Sequence, residues 1–193
     1  MNRGSATLKP FAPQLQTVLI KSLCDPLREV RARGVSALGK LLEINPKVDP
    51  LLSELSTMCL QSDSKAIKHS ILIAIYTILS KCGDKATTVV LDKVQTTIIS
   101  QIYEEDENVR IGAAKSLNCV VNYVDDTKLN SLYRDLMENS SMDESNICGK
   151  CMALSAILHR IGSENQSERD EIFKFLKQCS SDECVAVKIS VAR

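Results

Sequence analysis

The sequence of 193 residues is 44% hydrophobic but only 4% aromatic, and its 24 basic and 24 acidic side chains give a formal net charge of zero. This composition supports an aliphatic core and excludes a strongly basic or acidic protein. The longest apolar run, at 71–79, is shorter than the roughly 20 residues that a transmembrane helix needs. The first residues also lack the apolar stretch of a secretory signal. We therefore expect a cytoplasmic protein whose eight cysteines are free thiols.

A short pattern recurs five times at a nearly constant interval. In each copy a turn aspartate precedes an aliphatic residue that opens an apolar helix, and these aliphatic anchors lie 37, 42, 38 and 40 residues apart. The five pairs are Asp25 with Val30, Asp63 with Ile67, Asp106 with Val109, Asp143 with Ile147, and Asp182 with Val187. A period near 40 residues with helical patterning is typical of HEAT and armadillo repeats. The predicted fold class is therefore an all-α solenoid of about five antiparallel helix pairs, an architecture that works by holding other molecules.

Each repeat is predicted to contain an A helix followed by a B helix, and the chain is predicted to form one array. The repeats are predicted over 8–44, 46–83, 85–123 and 125–162, with a truncated repeat over 164–193. The first A helix is expected over about 11–23, and Asp25 with Pro26 is expected to cap and open the first B helix. Asp49 with Pro50 is expected to start the second A helix, and Gly83 to follow its B helix as the C′ residue.

The later repeats follow the same scheme. Their A helices are predicted over about 85–103, 126–138 and 168–179, with Gly162 closing the fourth B helix and the fifth beginning near Glu183. The aliphatic stripes of the B helices predict that Leu38, Ile71 and Leu117 are buried. Because the chain begins shortly before an A helix and stops inside a B helix, we expect a piece of a longer solenoid that is prone to self-association.

In four repeats a base follows the aliphatic anchor. These pairs of turn aspartate and base are Asp25 with Arg31, Asp63 with Lys68, Asp106 with Arg110, and Asp182 with Lys188. In stacked helical repeats this spacing lets the carboxylate meet a base across the repeat and cap helix N–H groups, so we predict a structural ladder. The fourth repeat has Cys148 at the base position, so its ladder is expected to be the weakest. Gly34, Gly112 and Gly149 near the anchors predict close approach of helices.

Little in the sequence favours catalysis. Residues 148–151 form a C-x-x-C motif, which can be a redox dithiol or half of a zinc site. A redox dithiol normally lies beside a sheet, and no strand is predicted here. Cys151 lies four residues after Ile147 on the buried stripe, so core thiols are the better interpretation. The two histidines have no catalytic pattern around them, and no phosphate loop or nucleophile elbow occurs. We expect no enzyme activity, cofactor, metal or small-molecule substrate.

Charge is unevenly distributed along the chain. Residues 1–47 carry eight basic and three acidic side chains, whereas residues 101–146 carry four basic and ten acidic ones. We expect the exposed side of the B helices to be the partner surface, and we place Arg33, Lys40 and Lys115 there. The basic first B helix leaves contact with nucleic-acid phosphates open, although no aromatic side chains are interleaved for base stacking.

Two stretches carry a more specific resemblance. The first is LKPFAPQLQ at 8–16, followed by Val30-Arg31 and by ALGKL at 37–41, and the second is VDPL at 48–51, leading into SEL at 53–55. Together they resemble the C-terminal third of the general-control translational activator family, whose members are very long HEAT-repeat scaffolds. The resemblance is specific over 8–55 and extends over 56–193 only at the level of the repeats.

This resemblance implies a non-catalytic scaffold in translational control. It implies association with ribosomes and with an ABC-type ATPase, and promotion of the phosphorylation of initiation factor 2 alpha by its kinase during amino-acid starvation. The implied partners are that kinase and ribosome-associated proteins, with ribosomal RNA contacted through the full-length protein. The alternative is a HEAT adaptor of another system: a phosphatase scaffold, a nuclear-transport receptor or a microtubule-binding domain. The acidic turn at 104–108 and the absence of tryptophan oppose the last of these.

Overall fold

The computed structural model describes residues 8–139, 143–161 and 165–192. These ranges contain ten α-helices and no strand. The helices are α1 (Ala12–Ser22), α2 (Arg28–Leu41), α3 (Asp49–Gln61), α4 (Lys65–Cys82), α5 (Thr88–Ile102), α6 (Glu107–Val120), α7 (Asp126–Glu138), α8 (Glu144–Leu158), α9 (Gln166–Ser180) and α10 (Val185–Ala192). Short 3-10 turns cover Lys9–Phe11 and Gly83–Lys85. The all-α prediction is confirmed.

The helices divide into two compact units, Met1–Thr97 and Ile98–Arg193. In the first unit α1 packs against α2, α3 packs against α4, and the B helices α2 and α4 contact each other. In the second unit α7 packs against α8, α9 packs against α10, and α8 contacts both α6 and α10. B helices of neighbouring repeats therefore stack directly within each unit. The single array over 1–193 and its repeat boundaries stay predictions.

Aliphatic side chains at helical spacing form the core of both units. Leu38 on α2, Ile71 on α4 and Leu117 on α6 are fully buried, which confirms the register predicted for these helices. The anchors Val30 and Ile67 are only half-buried. The buried face of these two B helices thus begins further along the helix than the periodicity predicts.

The boundaries differ from prediction at the first B helix. This helix begins at Arg28 and has Leu27 as its N-cap residue, so the prediction that Asp25 and Pro26 open it is wrong. The reason is local hydrogen bonding. The Asp25 carboxylate accepts from the backbone N–H of Leu27 at 2.8 Å, and the backbone carbonyls of Asp25 and Pro26 both accept from Arg31. These bonds hold residues 25–27 as a turn before the helix begins.

The second A helix, α3, begins at Asp49 as predicted, but Asp49 does not cap it. Val48 is the N-cap residue of α3, and the Asp49 carboxylate accepts instead from the backbone N–H of Thr87 at 3.0 Å. That bond lies just before α5, which starts at Thr88 rather than near residue 85. Gly83 has a φ of −63° and opens a 3-10 turn, so it is not a left-handed C′ residue. The predicted terminator Gly162 lies outside the described residues.

Small side chains and polar contacts set the spacing in the second unit. An added Cβ at Gly149 on α8 would lie 2.1 Å from the backbone oxygen of Ile102, the last residue of α5. The Tyr133 hydroxyl on α7 donates to the Glu171 carboxylate on α9. Among the described residues, none of the helices is long and apolar enough to cross a lipid bilayer.

Candidate functional site

The first repeat ties its turn with a buried arginine. Arg31, which is 8% exposed, donates from Nη1 to the backbone oxygens of Asp25 at 2.8 Å and Pro26 at 2.9 Å. Its Nε donates to the Ser70 hydroxyl at 3.0 Å, on the B helix of the next repeat. One guanidinium therefore fixes the turn of its own repeat and joins it to the following one. The base contacts main-chain carbonyls, while the Asp25 carboxylate holds a backbone N–H.

The third repeat uses the same arrangement. Arg110, which is 5% exposed, donates from Nη1 to the backbone oxygens of Glu104 at 2.7 Å and Glu105 at 2.8 Å. Asp106 caps α6 by accepting from the backbone N–H of Val109 at 3.0 Å. The Arg110 Nε has no hydrogen-bond partner among the described residues. This turn is thus tied within its own repeat by the aspartate and the arginine together.

The second and fifth repeats have a lysine after the anchor, and neither lysine is buried. In the second, Asp63 is exposed and Lys68 half-buried, and Ser64 caps α4 by accepting from the backbone N–H of Ile67 at 3.5 Å. In the fifth, Asp182 accepts from the backbone N–H of Cys184 at 2.8 Å, and Lys188 is exposed. The lysines therefore do not occupy the buried position that the two arginines share. A cross-repeat role for these two pairs stays a prediction.

The fourth repeat carries a base that the sequence pattern did not reveal. Lys150 on α8 is 9% exposed, and its Nζ donates to the backbone oxygens of Met137 at 3.0 Å and Asn139 at 3.1 Å. The same ammonium lies 4.7 Å from the centroid of the Phe175 ring, and burial lowers its pKa. Lys150 thus does for the end of α7 what Arg31 and Arg110 do in their repeats, from a position two residues after Cys148.

The three residues predicted to bind a partner are exposed on B helices. Arg33 and Lys40 lie on α2 in the first unit, and Lys115 lies on α6 in the second. Their exposure contrasts with the burial of Arg31 and Arg110 on the same two helices. The position of a basic residue on a B helix therefore decides whether its side chain is buried in the fold or exposed to solvent. Partner binding by Arg33, Lys40 and Lys115 stays a prediction.

Lys115 also borders a groove of about 410 Å³ between α6 and α8. The lining residues recur at i, i+3, i+4 and i+7 in two stretches: Ile111, Ala114, Lys115 and Asn118 from α6, and Met152, Ser155 and Ala156 from α8 with His159 directly after it. The groove was not predicted from the sequence. The repeated spacing of small and apolar residues that forms it can, however, be seen in the sequence.

The C-x-x-C thiols lie in the core. Cys148 and Cys151 are free and fully buried on α8, and Cys179 is free and buried on α9. Burial raises the pKa of Cys151, and the neighbouring Cys179 thiol raises it further. Burial also raises the pKa of Cys179. The predicted placement of Cys151 on the buried stripe is confirmed. Within the described ranges, no group of three or more His, Cys, Asp or Glu side chains is arranged to hold a metal ion.

A known family of helical-repeat proteins matches most of this chain. The family model "Stalled ribosome sensor GCN1-like, HEAT repeats" matches residues 49–193. The chain belongs to this family. The match covers the portion over which the sequence suggested only repeat-level similarity, so the family resemblance extends well beyond residue 55.

Named relatives agree with this assignment. The chain is 32% identical over 161 residues to "Stalled ribosome sensor GCN1" of Mus musculus, 30% over 159 residues to "Protein ILITYHIA" of Arabidopsis thaliana, and 30% over 141 residues to "eIF-2-alpha kinase activator GCN1" of Saccharomyces cerevisiae. These alignments cover 82%, 82% and 70% of the chain. They cover only 6%, 6% and 5% of the relatives, so the chain corresponds to a small part of each.

Solved structures support the fold class. A designed armadillo repeat protein in complex with the peptide (KR)4 has a TM-score of 0.51 and 15% identity, with 97% of this chain and 88% of that chain covered. An engineered protein has a TM-score of 0.53 and 12% identity, with 100% and 92% covered. At these identities the likeness establishes the helical-repeat fold alone. The predicted HEAT or armadillo solenoid is confirmed, and the family is one of HEAT-repeat scaffolds.

Proposed function

We propose that the chain acts as a non-catalytic protein-binding platform in translational control. The observation that carries this proposal is the family match over residues 49–193, whose relatives are named as stalled-ribosome sensors and as an activator of the initiation factor 2 alpha kinase. The partners proposed for this chain are that kinase and ribosome-associated proteins. Ribosomal RNA would be contacted through a full-length protein that contains it.

The partner surface proposed is the exposed side of the B helices. Arg33 and Lys40 are two exposed bases of α2, seven residues and therefore about two helical turns apart, so they point to the same side of the helix. Charged groups at the rim of an interface steer association and fix its register, so their reversal should weaken capture of an acidic partner. Because both side chains are exposed, the same change should leave the core untouched.

The test is capture of the N-terminal domain of the initiation factor 2 alpha kinase by residues 1–193. We expect the double variant Arg33→Glu/Lys40→Glu to bind roughly 10-fold more weakly, since each exposed pair contributes up to about 1 kcal/mol. Its thermal midpoint should be unchanged. The matched control is Lys174→Glu/Lys177→Glu, which reverses two exposed bases on the A helix α9.

Three results would count against the proposal. Failure of the unmodified chain to capture the kinase domain would remove the kinase from its partners. Equal capture by the unmodified chain and the Arg33→Glu/Lys40→Glu variant would remove the α2 surface from the interface. A loss of capture in the α9 control of the same size would show that net charge, rather than the B-helix surface, governs binding.

A further inference from the structure

The groove between α6 and α8 has the dimensions of a helix-binding site. Its lining residues lie between 111 and 118 on α6 and between 152 and 159 at the end of α8. Each stretch is eight residues, or about 10 Å along the helix axis. That length equals about two turns of a helical ligand, whose side chains would also recur at i, i+3, i+4 and i+7. The volume of about 410 Å³ lies within the range of about 300–1,000 Å³ typical of ligand sites.

Small side chains keep the groove open. Ala114 on α6 and Ser155 and Ala156 on α8 leave space between the helices, while Ile111 and Met152 add apolar surface. Met152 is flexible and polarizable, a property that suits surfaces which adapt to a ligand side chain. The groove therefore offers an apolar floor for aliphatic side chains of a partner.

Lys115 gives the groove a positive charge. Lys115 is its one charged lining residue among those described, and it is exposed. Asn118 and His159 add hydrogen-bonding groups at the rim. A ligand carboxylate beside an aliphatic side chain would pair with Lys115. A basic ligand side chain at the same position would be repelled by the positive charge of Lys115.

In the first unit α2 and α4 approach closely at Gly39. Gly39 on α2 lies so close to α4 that an added Cβ would be 2.9 Å from Thr77 Cγ2. Lys81 on α4 reaches across and donates to the backbone oxygen of Gly39 at 3.0 Å.

We propose that the groove between α6 and α8 binds an acidic amphipathic helix of a partner protein. Its aliphatic side chains would lie over Ala114, Met152 and Ala156, and one of its carboxylates would pair with Lys115. This inference rests on the proposed role as a protein-binding platform and assigns to it a specific site and a ligand of stated chemistry.

The probe is a fluorescein-labelled 12-residue peptide with leucine at i, i+3, i+4 and i+7 and glutamate elsewhere on its polar face. A second peptide carries lysine in place of each glutamate, and a third carries alanine in place of each leucine. Binding is measured by fluorescence anisotropy, and its location by NMR of 13C-labelled methyl groups. We expect only the glutamate–leucine peptide to bind, with shifts at the methyl groups of Ile111, Ala114, Met152 and Ala156.

Two protein variants and a control test the residues. Lys115→Glu should weaken binding of the acidic peptide about 10-fold, and Ala114→Phe should abolish it by filling the groove. Arg134→Glu reverses an exposed base on α7, outside the groove, and should bind like the unmodified chain. If Ala114→Phe fails to fold, as judged by circular dichroism, the Lys115→Glu result and the methyl shifts decide the matter.

Equal or tighter binding of the lysine peptide would overturn the proposal, as would methyl shifts confined to another surface. Undiminished binding by Lys115→Glu would also overturn it. The peptide assay is independent of the kinase. If the chain captures the kinase but does not bind the peptide, the proposal of a helix-binding groove is refuted while the proposed function stands. If the chain binds the peptide but does not capture the kinase, the groove proposal stands and the kinase is removed from the proposed partners.

Discussion

Replacing Gly149 by alanine tests the packing of α8 most sharply. The added Cβ would lie 2.1 Å from the backbone oxygen and 3.0 Å from the backbone carbon of Ile102, so one of the two helices must move. Overpacking of this kind costs about 1–3 kcal/mol. We take the upper end, because a backbone carbonyl cannot rotate away as a side chain does. Alanine also gains about 1 kcal/mol over glycine in a helix, so the expected net loss is about 2 kcal/mol.

Gly34→Ala is the matched control. There the nearest atom to the added Cβ is the Ser22 hydroxyl oxygen, also at 2.1 Å, but this side chain can rotate. Rotation would cost its hydrogen bond to the Leu19 backbone oxygen, about 1 kcal/mol. The helical gain of alanine offsets that loss, so the free energy of unfolding should change little.

The assay is urea unfolding followed by circular dichroism, with thermal unfolding as a second measure. For a chain of this length a loss of about 2 kcal/mol lowers the thermal midpoint by roughly 4–8 °C. Gly149→Ala should show that drop and Gly34→Ala should not. If Gly149→Ala is as stable as Gly34→Ala or more so, the close approach of α8 to Ile102 is refuted.

Three further predictions concern stability. Leu38→Ala, at a fully buried site, should lower the free energy of unfolding by about 2–5 kcal/mol, and a loss below 1 kcal/mol in urea titration would contradict its place in the core. Arg31→Met should cost about 1–3 kcal/mol because it removes the three hydrogen bonds of a buried guanidinium, including the buried bond to Ser70. Arg28→Met, at an exposed site, should leave the urea midpoint within error. The raised pKa values of Cys151 and Cys179 mean that above about pH 8.5 the unfolded chain loses thiol protons that the native chain keeps. Stability should therefore fall as pH rises through that range, by up to about 1.4 kcal/mol per pH unit for each thiol, and a slope unchanged in the double alanine variant would refute this assignment.

Apolar periodicity was enough to predict the core of the B helices. Leu38, Ile71 and Leu117 are buried as expected, because a stripe of period 3.6 has one way to leave water in a stacked helix. Turn geometry was harder to predict. Asp25 and Pro26 have the sequence of a helix cap, yet bonds from Leu27 and Arg31 to these residues hold them in a turn before the helix.

The residues of the candidate site were predicted unevenly. Arg33, Lys40 and Lys115 are exposed where helical periodicity placed them. Lys150 was missed because it provides the bonds of a repeat arginine from a position two residues further along, and a long flexible side chain can reach the same carbonyls from either place. The groove beside Lys115 depends on the distance between α6 and α8, which small residues permit but do not specify.

Lysine footprinting tests the central claim, that the exposed side of the B helices binds the partner. The chain is treated with an acetylating reagent alone and in complex with the N-terminal domain of the initiation factor 2 alpha kinase, and each lysine is read by mass spectrometry. We predict that Lys40 and Lys115 become protected in the complex, while Lys174 and Lys177 on the A helix α9 react as before. Protection of the α9 lysines with continued reaction of Lys40 and Lys115 would contradict the account.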